Sequence, residues 1–173
     1  MKKIENYIGG KITAGNSSEY LNVEDPSTGE TTSQVLLSDK TDFESVVNNS
    51  AKAYHEWSQV TPLKRSRIIS KYKDLIEKNI DHLAKLISSE HGKTLEDAKG
   101  SVIRGLEVVE FACGIPHLLK GEFSQNVGTE IDSWSTRQPL GITAGITPFN
   151  FPAMVPMWMY PISIACGNSF ILK

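Results

Sequence analysis

The pattern of hydrophobic and polar positions divides the chain into regions of different secondary structure. Residues 1–38 contain short apolar or β-branched segments separated by turns rich in glycine, asparagine and proline, which indicate strands or hairpins. From residue 41 to 113, apolar side chains recur every three or four positions, which is the spacing of amphipathic helices. The chain is therefore expected to begin with surface strands and to continue as a helical layer.

Three helices are predicted in this layer. The first is predicted to begin at a capping box formed by Thr41 and Glu44. The second is predicted to begin at Thr61, which is followed by Pro62, and the third at Thr94. We expect the second helix to continue to near Gly92 and the third to stop before Pro116.

A long uncharged segment follows, from Gln138 to Leu172, with 35 residues and five of the eight prolines. These prolines leave no uninterrupted span of about 20 residues for a transmembrane helix, so the segment is expected to be buried protein. The sequence GITAGIT at its start and SFILK at its end are typical of strands buried on both faces. Strand, loop, helix and strand predict a parallel crossover unit.

The loop of this unit, residues 147–152, is the predicted ligand site. In open parallel sheets, ligands bind where loops leave the carboxyl ends of the strands. The glycine fingerprint G-x-G-x-x-G of many dinucleotide sites does not occur in the sequence.

Residues 121–137 are polar and favour β structure, and Gly128 divides them into two candidate strands. A ribbon of two strands is marginally stable alone, so we expect it to pair with another subunit or domain.

Composition excludes several function classes. A net charge of −2 and a pI near 6.1 give no basic patch for nucleic acid or an anionic membrane. The start of the chain lacks the apolar core of a secretory signal, which favours the cytoplasm. Cys113 and Cys166 are expected to be small buried side chains, and neither they nor the four histidines show the spacing of metal ligands.

The uncharged segment also resembles a known family. Its PFNFP sequence resembles the Pro-(Phe/Trp)-Asn-(Phe/Tyr)-Pro motif of aldehyde dehydrogenases, and EDPSTGE, LKRSRIISKYKDLIEK and EHGKTLEDAKG are similar to other segments of that family. RGLEVVEFACGIPHLLKGE resembles the methylmalonate-semialdehyde dehydrogenase branch, whose enzymes are NAD-dependent and acylate CoA. The resemblance implies an α/β fold with a parallel sheet. Residues 1–119 and 139–173 would form the amino-terminal part of an NAD-binding domain, and residues 120–138 an oligomerisation arm.

The resemblance also implies roles for individual residues. Asn150 would donate its side-chain amide to the aldehyde oxygen during attack by a cysteine thiolate, and Thr147, Pro148, Phe149 and Lys173 would contact NAD. The residues alone leave other interpretations open. Asn150 could cap its own turn, as asparagine beside proline commonly does. Thr147 could simply end a strand and Phe149 could be a core aromatic. Lys173 could be a solvated lysine.

Arg104 has two interpretations. On the predicted third helix it lies opposite the core stripe but beside Val108 and Phe111, which is a partly apolar setting. It could form an i,i+3 ion pair with Glu107, worth about 0.2 to 0.5 kcal/mol. The resemblance implies instead that its guanidinium holds the carboxylate of the substrate.

The function implied is oxidation of malonate or methylmalonate semialdehyde by NAD with acyl transfer to CoA, by a homo-oligomer. The catalytic Cys and Glu of the family cannot be assigned in this sequence, so we expect an amino-terminal fragment that is inactive alone. Three alternatives remain open: a truncated or incomplete product, a non-catalytic module that binds NAD or oligomerises, and a hydrolytic aldehyde dehydrogenase that uses water instead of CoA.

Overall fold

The computed structural model describes residues 1–173, which form a mixed α/β structure. The strands are β1 (Lys2–Ile4), β2 (Asn6–Ile8), β3 (Lys11–Thr13), β4 (Tyr20–Glu24), β5 (Thr31–Leu36), β6 (Phe123–Gly128), β7 (Ile131–Trp134), β8 (Ile142–Gly145) and β9 (Ser169–Leu172). The helices are α1 (Lys40–Trp57), α2 (Pro62–Lys78), α3 (Ile80–His91), α4 (Leu95–Cys113), α5 (Ile115–Leu118) and α6 (Met154–Ala165).

The amino-terminal strands form two small sheets, as the turn-rich sequence predicts. One has the order β1-β5-β4, with β1 parallel and β4 antiparallel to β5, and the other is the β2–β3 hairpin. The α/β class is thereby confirmed, and these strands flank the helical layer.

The first helix begins earlier than predicted. Its N-cap is Asp39, whose carboxylate accepts from the Asp42 main-chain N–H at 2.9 Å, while the Asp42 carboxylate accepts from the Asp39 N–H at 3.1 Å. The predicted capping box of Thr41 and Glu44 was therefore wrong. Asp42 is buried because it also accepts from the Asn16 N–H at 2.7 Å, a contact 26 positions away in the sequence.

The second predicted helix is two helices, α2 and α3, which meet at Asn79. The Asn79 side-chain amide donates to the Leu75 carbonyl at 2.7 Å, and its backbone leaves the helical region with φ −116° and ψ 13°. The apolar spacing continues across this break, so the sequence pattern did not reveal it. The predicted end at Gly92 is confirmed, and Gly92 takes the left-handed conformation with φ +82°.

The third predicted helix, α4, is the centre of the core. Its start is confirmed, because the Thr94 hydroxyl accepts from the Asp97 N–H at 3.2 Å. Ala98, Val102, Val109 and Ala112 are completely buried on it. Gly105 lets α6 approach closely, since a Cβ there would lie 2.5 Å from the Met157 Cε.

The parallel crossover β8-α6-β9 is confirmed, with Ile142 opposite Ser169 and Gly145 opposite Leu172. The prediction that these strands are buried on both faces was wrong. Ile142 and Leu172 are 39% and 47% exposed, because β8 and β9 form a sheet of only two strands in this structure. The chain contains no helix with both the length and the apolar character needed to cross a bilayer.

The polar segment folds as predicted into an antiparallel ribbon of β6 and β7. The strands separate between Ser124 and Gly128 and join at a turn in which Glu130 has φ +60°. The large apolar side chains of the ribbon that are exposed are Phe123, Val127, Ile131 and Trp134. The division of the chain into a partial NAD-binding domain and an arm stays a prediction.

Candidate functional site

The carboxyl ends of β8 and β9 are joined directly to each other. The Thr147 N–H donates to the Lys173 main-chain oxygen at 2.8 Å, the Thr147 hydroxyl donates to the same oxygen at 3.2 Å, and the Lys173 N–H donates to the Gly145 carbonyl at 2.9 Å. Two residues that are 26 positions apart in the sequence thus meet at the strand ends, where ligands bind in open parallel sheets.

The starts of these strands are fixed by a buried amide. The Asn168 side-chain oxygen accepts from the Leu140 N–H at 2.7 Å and from the Gly141 N–H at 3.0 Å. Within the sheet, the Thr143 hydroxyl lies 2.6 Å from the Ser163 hydroxyl of α6. The loop therefore leaves a strand that is held both at its start and against the following helix.

The loop projects Phe149 and Asn150 outward. Phe149 is 89% exposed and Asn150 is also exposed, so both present their side chains to solvent. The Asn150 side chain makes no hydrogen bond in the structure, so it does not cap its own turn. Its amide is free to donate to a ligand.

Lys93 binds this loop from the helical layer. Its ammonium Nζ donates to the Asn150 carbonyl at 3.1 Å and lies 4.4 Å from the centroid of the Phe151 ring. The sequence pattern did not predict a role for Lys93. A lysine between two helices is ordinarily solvated, and its position 57 residues before Asn150 gave no signal of contact.

Arg104 lies where α4 packs against α6. The Trp158 indole Nε1 donates to the Arg104 carbonyl at 3.4 Å, and the Arg104 side chain is exposed. The three side-chain ion pairs of the structure are Lys40–Glu44, Lys73–Glu77 and Lys99–Asp81. The pair with Glu107 is therefore not formed, and the guanidinium is free to meet an anion.

The two cysteines are half-buried rather than fully buried as predicted. Burial raises the pKa of the Cys166 thiol, and the charge of Arg65 lowers it by a smaller amount. Cys166 is thus held as a neutral thiol, which is the opposite of what a nucleophilic cysteine needs.

A half-buried aromatic cluster packs around α6. The Tyr72 and Tyr160 hydroxyls are hydrogen-bonded to each other, and the ring centroids of Tyr160 and Phe170 lie 6.4 Å apart in an edge-to-face arrangement. Burial, together with the neighbouring Tyr72, raises the pKa of Tyr160 well above its usual range. These contacts join α2, α6 and β9.

The residues at the strand ends fit a dinucleotide in their chemistry. The Lys173 ammonium is exposed and can donate to sugar hydroxyls, while Phe149 offers an uncovered aromatic surface. The structure contains no group of three or more His, Cys, Asp or Glu side chains arranged to hold a metal ion.

Comparison with known proteins identifies a common family. The model of the aldehyde dehydrogenase family matches residues 12–173. The chain is 50% identical over 173 residues to a malonate-semialdehyde dehydrogenase of Pseudomonas aeruginosa, covering 100% of this chain and 35% of the relative. It is 45% identical over 171 residues to an acylating, mitochondrial methylmalonate-semialdehyde dehydrogenase of Arabidopsis thaliana, covering 99% of this chain and 28% of the relative.

A solved structure gives the same result. The crystal structure of a Sinorhizobium meliloti protein, provisionally named methylmalonate-semialdehyde dehydrogenase and complexed with NAD, matches with a TM-score of 0.97 and 48% identity. The match covers 100% of this chain and 35% of that protein. The chain thus spans about a third of the length of the relatives it matches.

Proposed function

Because this chain belongs to the aldehyde dehydrogenase family, we propose that it forms part of an enzyme that oxidises malonate or methylmalonate semialdehyde with NAD and transfers the acyl group to CoA. The observation that carries the proposal is 50% identity along the whole chain to a malonate-semialdehyde dehydrogenase. The unpaired side chains of Asn150 and Arg104 support it.

Asn150 is proposed as the donor to the aldehyde oxygen. Attack on an aldehyde turns its oxygen into an oxyanion, and a preorganised N–H donor stabilises that developing charge. Its amide is exposed and makes no hydrogen bond, while its backbone is held by the Lys93 ammonium. A free donor on a fixed backbone is what this role requires.

Thr147, Pro148, Phe149 and Lys173 are proposed to bind NAD. When bound, NAD accepts the hydride that leaves the substrate. The contribution of this chain is a binding surface at the ends of β8 and β9, where Thr147 and Lys173 are linked to each other and Phe149 is uncovered.

Arg104 is proposed to hold the carboxylate of the semialdehyde. A guanidinium binds a carboxylate through two parallel hydrogen bonds, which fixes both the distance and the orientation of the substrate. Arg104 is exposed and not ion-paired, and Trp158 binds its backbone from α6, the helix that directly follows the Asn150 loop.

The β6–β7 ribbon at residues 120–138 is proposed to be an oligomerisation arm of a homo-oligomer. Four large apolar side chains are exposed on a ribbon of two strands, and such a ribbon gains stability by pairing with a neighbouring sheet. The rest of the chain, residues 1–119 and 139–173, would then be the NAD-binding portion. The proposed location is the cytoplasm.

A chimera tests the function. This chain would replace the matching segment of the Pseudomonas aeruginosa relative, with which it aligns along its whole length. We expect NADH to form from malonate semialdehyde and NAD, with acyl-CoA as the product when CoA is present. Formation of free acid at the same rate without CoA would instead favour a hydrolytic aldehyde dehydrogenase. Absence of NADH with this substrate, in a folded chimera that oxidises propanal, would contradict the proposal.

A further inference from the structure

We propose that Lys93 is a positioning residue that holds Asn150 in the orientation needed to donate to the aldehyde oxygen. This inference rests on the proposed function of Asn150. Lys93 contacts the loop through two interactions, a hydrogen bond of 3.1 Å from its Nζ to the Asn150 carbonyl and a cation–π contact of 4.4 Å with the Phe151 ring.

The charge of Lys93 is directed at the loop alone. The ammonium belongs to none of the three ion pairs of the structure, and the side chain is half-buried. Its polar partner is the Asn150 carbonyl, and a hydrogen bond from a charged donor is about twice as strong as a neutral one. The loop carbonyl is therefore the group that fixes the position of the ammonium, and the ammonium in turn fixes the carbonyl.

The backbone of Lys93 is itself anchored. The Ser88 hydroxyl donates to the Lys93 carbonyl at 2.8 Å, and the Gly92 N–H donates to the Ser88 carbonyl at 2.9 Å. Gly92 has φ +82°, and a Cβ there would lie 2.8 Å from the Pro26 Cγ, so the connection between α3 and α4 is closely packed. Lys93 thus extends from a fixed support rather than from a free loop.

The loop leaves few degrees of freedom for Lys93 to restrain. Pro148 and Pro152 fix their own φ angles and restrict the residues before them. Between the two prolines, the Asn150 carbonyl and the Asn150 Cα–Cβ bond share one Cα, so a fixed carbonyl restricts ψ and the direction in which the side chain leaves the backbone. Holding that carbonyl therefore positions the base of the Asn150 side chain, from which the amide extends.

The test uses Lys93→Met, which keeps the aliphatic stem and removes the charge, and Lys93→Arg, which keeps the charge. Both are made in the chimera, and Lys99→Met is the matched control because Lys99 lies in α4 and pairs with Asp81 away from the loop. Rates are measured with malonate semialdehyde and, separately, with propanal, so that the result does not depend on the identity of the natural substrate.

For Lys93→Met, we expect the pre-steady-state NADH burst to slow by about tenfold to 10²-fold, the range that small misplacements of catalytic groups produce. The KM for the aldehyde and the Kd for NAD should change less than twofold. Lys93→Arg should recover the burst to within threefold of the parent, and Lys99→Met should match the parent.

Hydrogen–deuterium exchange of this chain gives a readout that does not depend on activity. Peptides covering residues 147–155 should exchange faster in Lys93→Met than in Lys93→Arg. The inference is overturned by unchanged exchange, by a burst within threefold of the parent in Lys93→Met, or by equal losses in Lys93→Met and Lys99→Met. If the parent chimera oxidises propanal but not malonate semialdehyde, the proposed substrate is wrong, and the propanal ratios still decide the role of Lys93.

Discussion

The Trp158 indole Nε1 lies 3.4 Å from the Arg104 carbonyl and joins α6 to α4 at one of the candidate binding residues. The contact holds the backbone of Arg104 and leaves its guanidinium exposed. Because α6 begins directly after the Asn150 loop, this contact links the proposed carboxylate site to the proposed oxyanion donor through one short helix.

Replacing Arg104 should therefore discriminate between substrates. In the chimera, Arg104→Leu is expected to lower kcat/KM for malonate semialdehyde by roughly tenfold to 10²-fold, as loss of hydrogen bonds to a charged group does. Propanal has no carboxylate and should be oxidised at nearly the parental rate. Arg67→Leu is the control, since Arg67 is an exposed arginine on α2. An equal loss for both substrates would show that Arg104 is structural.

Replacing Asn150 should affect chemistry more than binding. Asn150→Ala is expected to slow the NADH burst by about 10²-fold or more, because a preorganised donor to the oxyanion is lost. KM should change much less. Asn48→Ala, which removes an exposed amide from α1, is the control and should retain the parental burst. A burst in Asn150→Ala within threefold of the parent would remove Asn150 from this role.

The sequence predicted those elements whose pattern is set by neighbouring residues. The helix α4 could be predicted because buried residues such as Val102 and Val109 recur at helical spacing, and the crossover β8-α6-β9 because apolar segments flank a proline-rich loop. The start of α1 could not, since Thr41 also fits a capping box. The observed capping box pairs Asp39 with Asp42, and the Asn16 N–H adds a hydrogen bond to Asp42 from a distant part of the chain.

In the candidate site, too, features set by neighbouring residues were predicted and features set by distant residues were not. Asn150 and the strand ends were predicted from a short motif and from the rule for parallel sheets. The contact between Thr147 and Lys173 shows that the two strand ends meet, and ligand binding there stays a prediction. Lys93 and Trp158 were not predicted, because each acts through a backbone carbonyl that is more than 50 positions distant in sequence. Every residue has a main-chain carbonyl, so such a contact does not restrict the type of the residue that accepts it and cannot be recognised in the sequence.

The ribbon offers a test of assembly. Phe123 and Trp134 are directly opposite each other in the β6–β7 register and are 65% and 70% exposed. Replacing both with serine in the chimera should shift the protein toward smaller species in sedimentation-velocity experiments, because buried aromatic area at a subunit contact would be lost. Tyr7→Ser is the control, since Tyr7 is 73% exposed on the separate β2–β3 hairpin. An unchanged distribution would rule out the arm as the subunit contact.

Arg65 should be important for stability. It is 3% exposed, its Nε donates to the Ala165 carbonyl at 2.8 Å, and its Nη1 donates to the Val60 carbonyl. Burial lowers the pKa of the guanidinium from its ordinary value. Arg65→Met leaves both carbonyls without this donor and should lower the free energy of unfolding by about 2 to 4 kcal/mol.

Urea unfolding of this chain would measure the effect of Arg65→Met, with Arg67→Met as the exposed control on the same helix. Surface substitutions away from such contacts usually change stability by less than about 0.5 kcal/mol. Equal effects of the two substitutions would show that the contact between α2 and the end of α6 contributes nothing specific.

Asp42 should make stability depend on pH in the acid range. Hydrogen bonds from the main-chain N–H groups of Asn16, which contributes most, and of Asp39 hold the pKa of Asp42 below its usual 3.8. For a carboxyl with a lowered folded pKa, the stabilising contribution is present above the unfolded pKa and is lost as pH falls through the folded pKa. Asp42→Asn should therefore be less stable than the parent at pH 7, and the difference should shrink as pH falls below about 3.8.

Urea midpoints between pH 7 and pH 3 would measure this pH dependence of stability. Asp74→Asn is the matched control, because Asp74 is an exposed carboxyl on α2. A difference that stays constant across this range would show that Asp42 stabilises the fold through its shape and not through its charge.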